Sequence, residues 1–132
     1  MKQIIYCICG YKNSGKTTLI EQIIPKLISL GFKVAVIKHD GHDFEGDIPN
    51  TDTYRHMKAG AYGTAIFSNS HVLIHKKQHT NEKELFKQFP EADIILIEGL
   101  KNSSYPKYIC DYPSKIPNLQ EIINEITNLH NL

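Results

Sequence analysis

Arginine is nearly missing from this chain. Arg55 is the only one in 132 residues, and the remaining cationic side chains are lysines. A site built from several planar guanidinium forks is therefore ruled out, and with it the usual side-chain chemistry of base-edge and bidentate phosphate readout. An excess of one charge is lacking too. The formal net charge is +1, so no strong field draws the chain to nucleic acid or to an anionic membrane surface. No apolar run approaches the roughly 20 residues of a membrane-spanning helix. The apolar stretch near the N-terminus, Ile4–Cys9, is short and flows straight into a glycine-bearing loop, unlike a secretory leader. Internal repeats, low-complexity linkers, a Ser-His-Asp arrangement and a glycosidase-type carboxylate pair are all absent. There are three cysteines, an odd number. Cys7 and Cys9 share one face of a strand and read as small buried thiols rather than a metal pair, which with Cys110 fits a reduced, cytoplasmic setting. The length predicts a single domain over residues 1–132 with a real core.

What is present is concentrated in Gly10-Tyr11-Lys12-Asn13-Ser14-Gly15-Lys16-Thr17, which spells G-x-x-x-x-G-K-T. The spacing has a mechanical reason. The two glycines let the backbone wrap a phosphate chain so that its N–H groups face the oxygens. Lys16 adds a point charge near the β- and γ-phosphates, and the Thr17 hydroxyl is placed to ligate Mg²⁺. The motif follows a predicted strand and opens a predicted amphipathic helix, the context a P-loop requires.

The rest of the chain alternates between strands and helices. A first strand is expected over about Gln3–Cys9, followed by a helix with the stripe Ile20, Ile23, Ile24, Leu27 and Ile28. Pro25 lies inside that helix and is expected to kink it or delete a hydrogen bond. Lys33–Lys38 reads as a second strand. Thr51 or Asp52 caps a short helix through Met57 to Gly60. Thr64–Phe67 and Val72–His75 read as a hairpin. A capping box, Asn81 with Glu84, predicts a helix to Phe89. Asp93–Ile97 is an unbroken apolar run typical of a buried parallel strand. Lys107–Cys110 is a short strand, and Leu119, Ile122, Ile123, Ile126 and Leu129 stripe a last helix. The expected fold is α/β and P-loop NTPase-like: a mainly parallel sheet, helices on both faces and an added β-hairpin.

In such sheets ligands bind beyond the carboxyl ends of strands, and three polar clusters sit there. The P-loop is one. Glu98-Gly99 follows the buried Asp93–Ile97 run and fits a Walker-B role, with Glu98 beside Mg²⁺ and Gly99 offering a backbone N–H to the γ-phosphate. Asp40 ends the second strand in a similar place and is a second candidate for the Mg²⁺ side. The catalytic and metal set is thus Lys16, Thr17, Asp40 and Glu98. The phosphate cradle runs from Gly10 through Thr18, and the segment Lys101–Lys107 reads either as closing over the ligand with Lys101 or Lys107 or as an ordinary Pro-containing loop. The loop His39–Asp47 is dense in histidine and carboxylate, so His39, His42 and Asp43 also raise a transition-metal reading against a plain solvated loop. Arg55 reads as either a surface charge or a phosphate contact. A guanine-reading Asn-Lys-x-Asp segment is absent. Four classes remain open from the residues: nucleotide-binding accessory protein, small-molecule kinase, metallochaperone NTPase, and a nucleotide-responsive scaffold.

The ordered set Gly10–Leu19, Val36-Ile37-Lys38-His39-Asp40-Gly41-His42, Asp52-Thr53-Tyr54-Arg55-His56 with Ala59-Gly60-Ala61, and Ile95-Leu96-Ile97-Glu98-Gly99-Leu100-Lys101 resembles the molybdopterin-guanine dinucleotide biosynthesis protein B (MobB) family. The resemblance runs from residue 4 to about residue 109. It implies a dimeric P-loop protein that binds GTP with Mg²⁺ near Thr17 and Asp40 or Glu98, with weak GTPase activity. It implies a role in molybdenum cofactor maturation, when a GMP unit is attached to molybdopterin by a partner guanylyltransferase (MobA). A molybdopterin-type ligand is part of what it implies. After Cys110 the chain departs from the family pattern: Asp111-Tyr112-Pro113-Ser114-Lys115 leads into one helix, where other members have further strand and loop.

Overall fold

Strand β1 (Ile4–Gly10) is buried along most of its length and carries the sheet. The computed structural model describes residues 2–41, 44 and 46–130. After the P-loop comes helix α1 (Lys16–Ser29), then strand β2 (Val34–Lys38), helix α2 (Asp52–Lys58), and strands β3 (Gly63–Phe67) and β4 (Val72–Lys76). A short helix α3 (Glu82–Phe86), strands β5 (Ile94–Glu98) and β6 (Lys107–Cys110), and helix α4 (Leu119–Leu129) complete the order. The chain divides into two compact units, Met1–Asp40 with Glu82–Leu132, and Gly41–Asn81.

The first unit holds a four-stranded sheet in the order β2-β5-β1-β6, and every pairing is parallel. β5 is buried at all five positions because it lies between two strands and under both layers, which is why its sequence shows no alternation. On one face Ile4, Tyr6, Ile8, Ile94 and Leu96 pack against Leu19, Ile20, Ile23 and Leu27 of α1 and Ile122, Ile123 and Ile126 of α4. The other face carries Cys7, Cys9, Ile37, Ile95 and Ile97 under Leu85 and Phe86 of α3 together with Leu100 and Tyr105. Helices therefore lie on both faces, but unequally: α3 is one short turn, and the segment after β5 completes its layer.

Pro25 does not break α1, which is continuous from Lys16 to Ser29. Both Pro25 and Glu21, whose carbonyl loses its partner, are exposed, so that acceptor lies on the solvent side of the helix. α3 stops at Phe86, short of the predicted Phe89. Gln88 and Phe89 donate instead to Leu85 and Phe86, three residues back, so the chain tightens into turns ahead of Pro90.

The second unit contains α2 and the antiparallel pair β3–β4. Thr51 caps α2, its hydroxyl accepting from the Tyr54 N–H at 3.4 Å.

Candidate functional site: a phosphate cradle at the carboxyl edge of the sheet

The loop between β1 and α1 has the backbone its sequence demands. A Cβ added to Gly10 would lie 2.4 Å from Ser14 Oγ and 2.7 Å from the Cys110 carbonyl oxygen, so no other residue fits without displacing the loop. Asn13 and Gly15 are left-handed, with φ of 62° and 93°. Such residues curl successive N–H groups into a concavity suited to an anion. The first intrahelical bond comes from Leu19, which donates to the Gly15 oxygen at 2.9 Å. The amides of Lys16, Thr17 and Thr18 precede it, no side chain caps this end, and the positive end of the α1 dipole points into the loop. Ser14 Oγ is buried without a hydrogen-bond partner among the described residues. An orphaned hydroxyl of that kind inside a glycine-walled cradle is the mark of a site shaped for something else. Lys16 reaches back across the loop, donating from Nζ to the Gly10 oxygen at 2.9 Å.

β5 brings the carboxylate. Glu98 pairs in register with Ile8 of β1 and Lys38 of β2, and only 5% of it is exposed. Thr17 Oγ1 donates to its Oε1 at 2.8 Å, and Lys38 Nζ stands 3.2 Å from Oε2. A buried carboxylate is tolerable here because both oxygens are engaged. Thr17 and Glu98 together offer hard oxygen donors side by side, which is what Mg²⁺ prefers.

Lys12 and Tyr11 are exposed on the loop, and Lys101 Nζ lies 5.1 Å from the centre of the Tyr11 ring, a cation–π contact at the cradle's rim. Gly99 contributes differently from the expectation. Its N–H donates to the Ile8 oxygen at 3.0 Å and is spent within the sheet, while its φ of 121° and the His39 backbone and Cβ, 3.3 Å from where a Cβ would be, require glycine. Asp40 is exposed two residues past Lys38, the register partner of Glu98. Arg55 is exposed on α2 in the second unit. Of the proposed transition-metal set, His42 and Asp43 lie outside the described residues. Among the described residues no three of His, Cys, Asp and Glu gather into a metal-holding group.

One neighbour of the P-loop escapes sequence reasoning. The segment after β6 lies against it: the Tyr112 N–H donates to the Ser14 oxygen at 3.3 Å, and the Tyr112 Cβ is 3.4 Å from where a Gly15 Cβ would sit. Nothing in Asp111-Tyr112-Pro113 forms a motif that announces this. The thiols of Cys7, Cys9 and Cys110 are buried, and burial pushes each above the ordinary thiol value, which leaves them protonated and unreactive at neutral pH. Tyr6 is raised by the same cause, reinforced by the nearby Glu125 carboxylate.

Within the second unit a concavity of about 650 Å³ is lined by Tyr54, Met57 and Lys58 of α2, by His75, Lys76, Lys77 and His79, and by Phe44 and Asp47. Asp47 Oδ1 accepts from the Ile48 N–H at 2.9 Å and from Thr53 Oγ1 at 3.2 Å, while His75 Nδ1 is 3.9 Å from Oδ2.

Comparison with known proteins places this arrangement. Residues 5–124 match the family model described as "Molybdopterin guanine dinucleotide synthesis protein B". The chain is 32% identical over 119 residues to the molybdopterin-guanine dinucleotide biosynthesis adapter protein of Haemophilus influenzae, covering 87% of this chain and 67% of that one. It is 37% identical over 109 residues to the probable adapter protein of the same name from Bacillus subtilis, covering 77% and 61%. The chain thus spans about two thirds of the length of these relatives. The crystal structure of Bacillus subtilis MobB superposes with a TM-score of 0.71 at 30% identity, over 93% of this chain and 73% of that one. With a P-loop α/β sheet, an added hairpin and a family match over residues 5–124, the chain belongs to the MobB family.

Proposed function

We propose that the chain binds GTP with Mg²⁺ and serves as an adapter when a GMP unit is joined to molybdopterin. The observation that carries the nucleotide part is the Thr17–Glu98 hydrogen bond beside a cradle that contains an orphaned Ser14 hydroxyl. The pathway part rests on the names of the relatives, which are called adapter proteins of molybdopterin-guanine dinucleotide biosynthesis.

Each residue has a task in this reading. The amides of Asn13 and of Gly15 to Thr18 face the phosphate oxygens, while the Ser14 N–H closes the loop onto the Tyr11 oxygen; Lys16 exchanges the Gly10 carbonyl for the phosphate, and Ser14 Oγ gains the partner it lacks. Thr17 and Glu98 would hold Mg²⁺, with Asp40 at the neighbouring strand end as a further carboxylate. When bound, the cation neutralises charge on the phosphates. Glu98 is engaged by Thr17 and Lys38 rather than set to draw a proton from water, so hydrolysis is weak. The nucleotidyl transfer then belongs to a partner guanylyltransferase of the MobA type. The concavity in the second unit, lined by Lys58, Lys76, Lys77, His75 and His79 as well as Asp47, suits a phosphorylated ligand of molybdopterin type. A second copy of the chain is the proposed partner of the β3–β4 hairpin, whose Ile66, Phe67, Val72, Leu73 and Ile74 are 57–82% exposed. A two-stranded sheet is marginal alone in water, so such a surface calls for cover.

The test is thermal stabilisation by Mg²⁺–GTP in the wild type and in Lys16→Ala. Wild-type stabilisation lost in the variant, with the unliganded midpoint kept within a few degrees, is the expected result. Equal stabilisation of both proteins overturns the P-loop reading, and equal or stronger stabilisation by ATP overturns the guanine part.

A further inference from the structure

The P-loop grips phosphates and does not choose a base, and the familiar guanine-reading segment is absent from the sequence. We infer that the segment after β6, Asp111-Tyr112, is the base-recognition element, with the Tyr112 ring as a stacking face and the Asp111 carboxylate as the acceptor that selects guanine. The inference rests on the nucleotide reading above and adds the source of its specificity.

Placement is the first argument. β6 is parallel to β1, and Cys110 pairs in register with Gly10, so both strands end at the same edge and their loops emerge side by side. Residue 111 therefore begins beyond the carboxyl end of a strand adjacent to the P-loop strand, where ligands bind in open α/β sheets. Attachment is the second. The Tyr112 N–H bonds the Ser14 oxygen, and its Cβ packs at the Gly15 position, so the segment is keyed to the cradle by main chain and Cβ.

Availability is the third. More than half of Tyr112, 56%, is exposed, although its Cβ is against the loop, so the ring is free to meet a flat ligand. Asp111 is exposed, and its backbone oxygen accepts from the Lys115 N–H at 2.8 Å, which fixes the turn without using the carboxylate. Lys115 is drawn away: its Nζ donates to the Ile109 oxygen at 3.3 Å and lies 4.4 Å from the Tyr108 ring centre. Lys107 is held by the Lys101 and Ser103 carbonyls.

The chemistry then selects the base. Guanine presents two adjacent donors, the N1–H and the 2-amino group, which a carboxylate accepts with its two oxygens. Adenine presents an acceptor at N1 and is repelled. Xanthine keeps the N1–H but carries a carbonyl at position 2, so it matches an amide, which accepts with its oxygen and donates with its nitrogen.

Asp111→Asn converts one pattern into the other. Binding of GTP, XTP, ATP and tripolyphosphate, each with Mg²⁺, is measured calorimetrically for the wild type, Asp111→Asn and Tyr112→Leu. Both substitutions keep the Cβ and the main-chain bonds that seat the segment, and circular dichroism checks the fold. Wild type is expected to prefer GTP. Asp111→Asn is expected to lose GTP affinity about tenfold or more and to gain XTP affinity, reversing the order. Tyr112→Leu weakens every nucleotide by about tenfold, the scale of one lost stacking contact. Tripolyphosphate, which has no base, binds all three proteins alike. A GTP-to-XTP ratio unchanged in Asp111→Asn overturns the inference while leaving the phosphate site standing. A wild type that binds neither GTP nor tripolyphosphate overturns both.

Discussion

Replacing Glu98 with glutamine tests the joint between the P-loop and the sheet. The substitution keeps the length and shape of the side chain and removes its charge. Two interactions change. The Thr17 hydroxyl, 2.8 Å from Oε1, loses a charged acceptor and retains a neutral one. A hydrogen bond to a charged group contributes about 1.5–3 kcal/mol against about 1 for a neutral one, so roughly 1 kcal/mol is lost. The Lys38 ammonium, 3.2 Å from Oε2, loses its counter-charge, but its side chain is 67% exposed. Water screens that pair, and its contribution lies at about 0–1 kcal/mol. The unliganded protein should therefore lose about 1–2 kcal/mol, which for a domain of this size lowers the melting midpoint by roughly 3–8 °C. The larger effect is expected with ligand. At a hundred times Kd, nucleotide adds about 2.7 kcal/mol to the wild type. Loss of the carboxylate that would hold the cation weakens Mg²⁺-dependent binding at least tenfold, which halves that increment. Differential scanning fluorimetry with GTP alone, Mg²⁺ alone and both together separates the terms. An identical Mg²⁺-dependent increment in wild type and Glu98→Gln refutes the assignment of Glu98 to the cation.

The remaining expectations address other parts of the molecule. Gly10→Ala places a methyl 2.4 Å from Ser14 Oγ and 2.7 Å from the Cys110 oxygen at a φ of 145°; a loss above about 2 kcal/mol is expected in chemical denaturation, together with loss of nucleotide binding. The folded-state values of Cys7, Cys9 and Cys110 are raised above 9.0. The unfolded chain releases these protons first, so stability is fully present below pH 9 and falls as pH rises through the folded values. Urea midpoints at pH 8 and pH 10 measure the fall, and a Cys7→Ala/Cys9→Ala/Cys110→Ala variant should show less of it. Phe67→Ser with Leu73→Ser on the hairpin is expected to convert a dimer to a monomer in light scattering while keeping the helical signal; an unchanged mass refutes the hairpin as the self-association surface.

The sequence made the first unit legible wherever one residue type had one physical job. The P-loop spacing, the β5 run and the helical stripes of α1 and α4 each reflect a single constraint: glycine backbone, burial on both faces, or one apolar side. The reading of Glu98 came from its place after such a run, and the structure sets it against Thr17. Failures came where several elements act on one residue. Gly99 looked like a phosphate donor because it follows the carboxylate, but its N–H is taken by Ile8 across the sheet, a partner 91 positions away that no local pattern encodes. The end of α3 is not legible because the Asn81–Glu84 box signals where a helix starts and nothing before Pro90 signals where the turns tighten. The contact between Tyr112 and the P-loop was invisible for the same reason as the Gly99 bond: it depends on β6 lying beside β1.

That strand order has a consequence for the ligand. β1 lies between β5 and β6, so the loop that follows it is flanked by a different chemistry on each side. On the β5 side stand Glu98, Thr17 and Lys38, which suit a cation and the charged end of a phosphate chain. On the β6 side stand Asp111 and the exposed ring of Tyr112, which suit a flat, hydrogen-bonding group. A nucleotide needs both environments, separated by the length of its phosphates. A free phosphate or a phosphorylated amino acid needs only the first. The cradle alone is neutral between these ligands; with Asp111 and Tyr112 as the proposed base site, a nucleotide would lie with its triphosphate end toward β5 and its base toward β6.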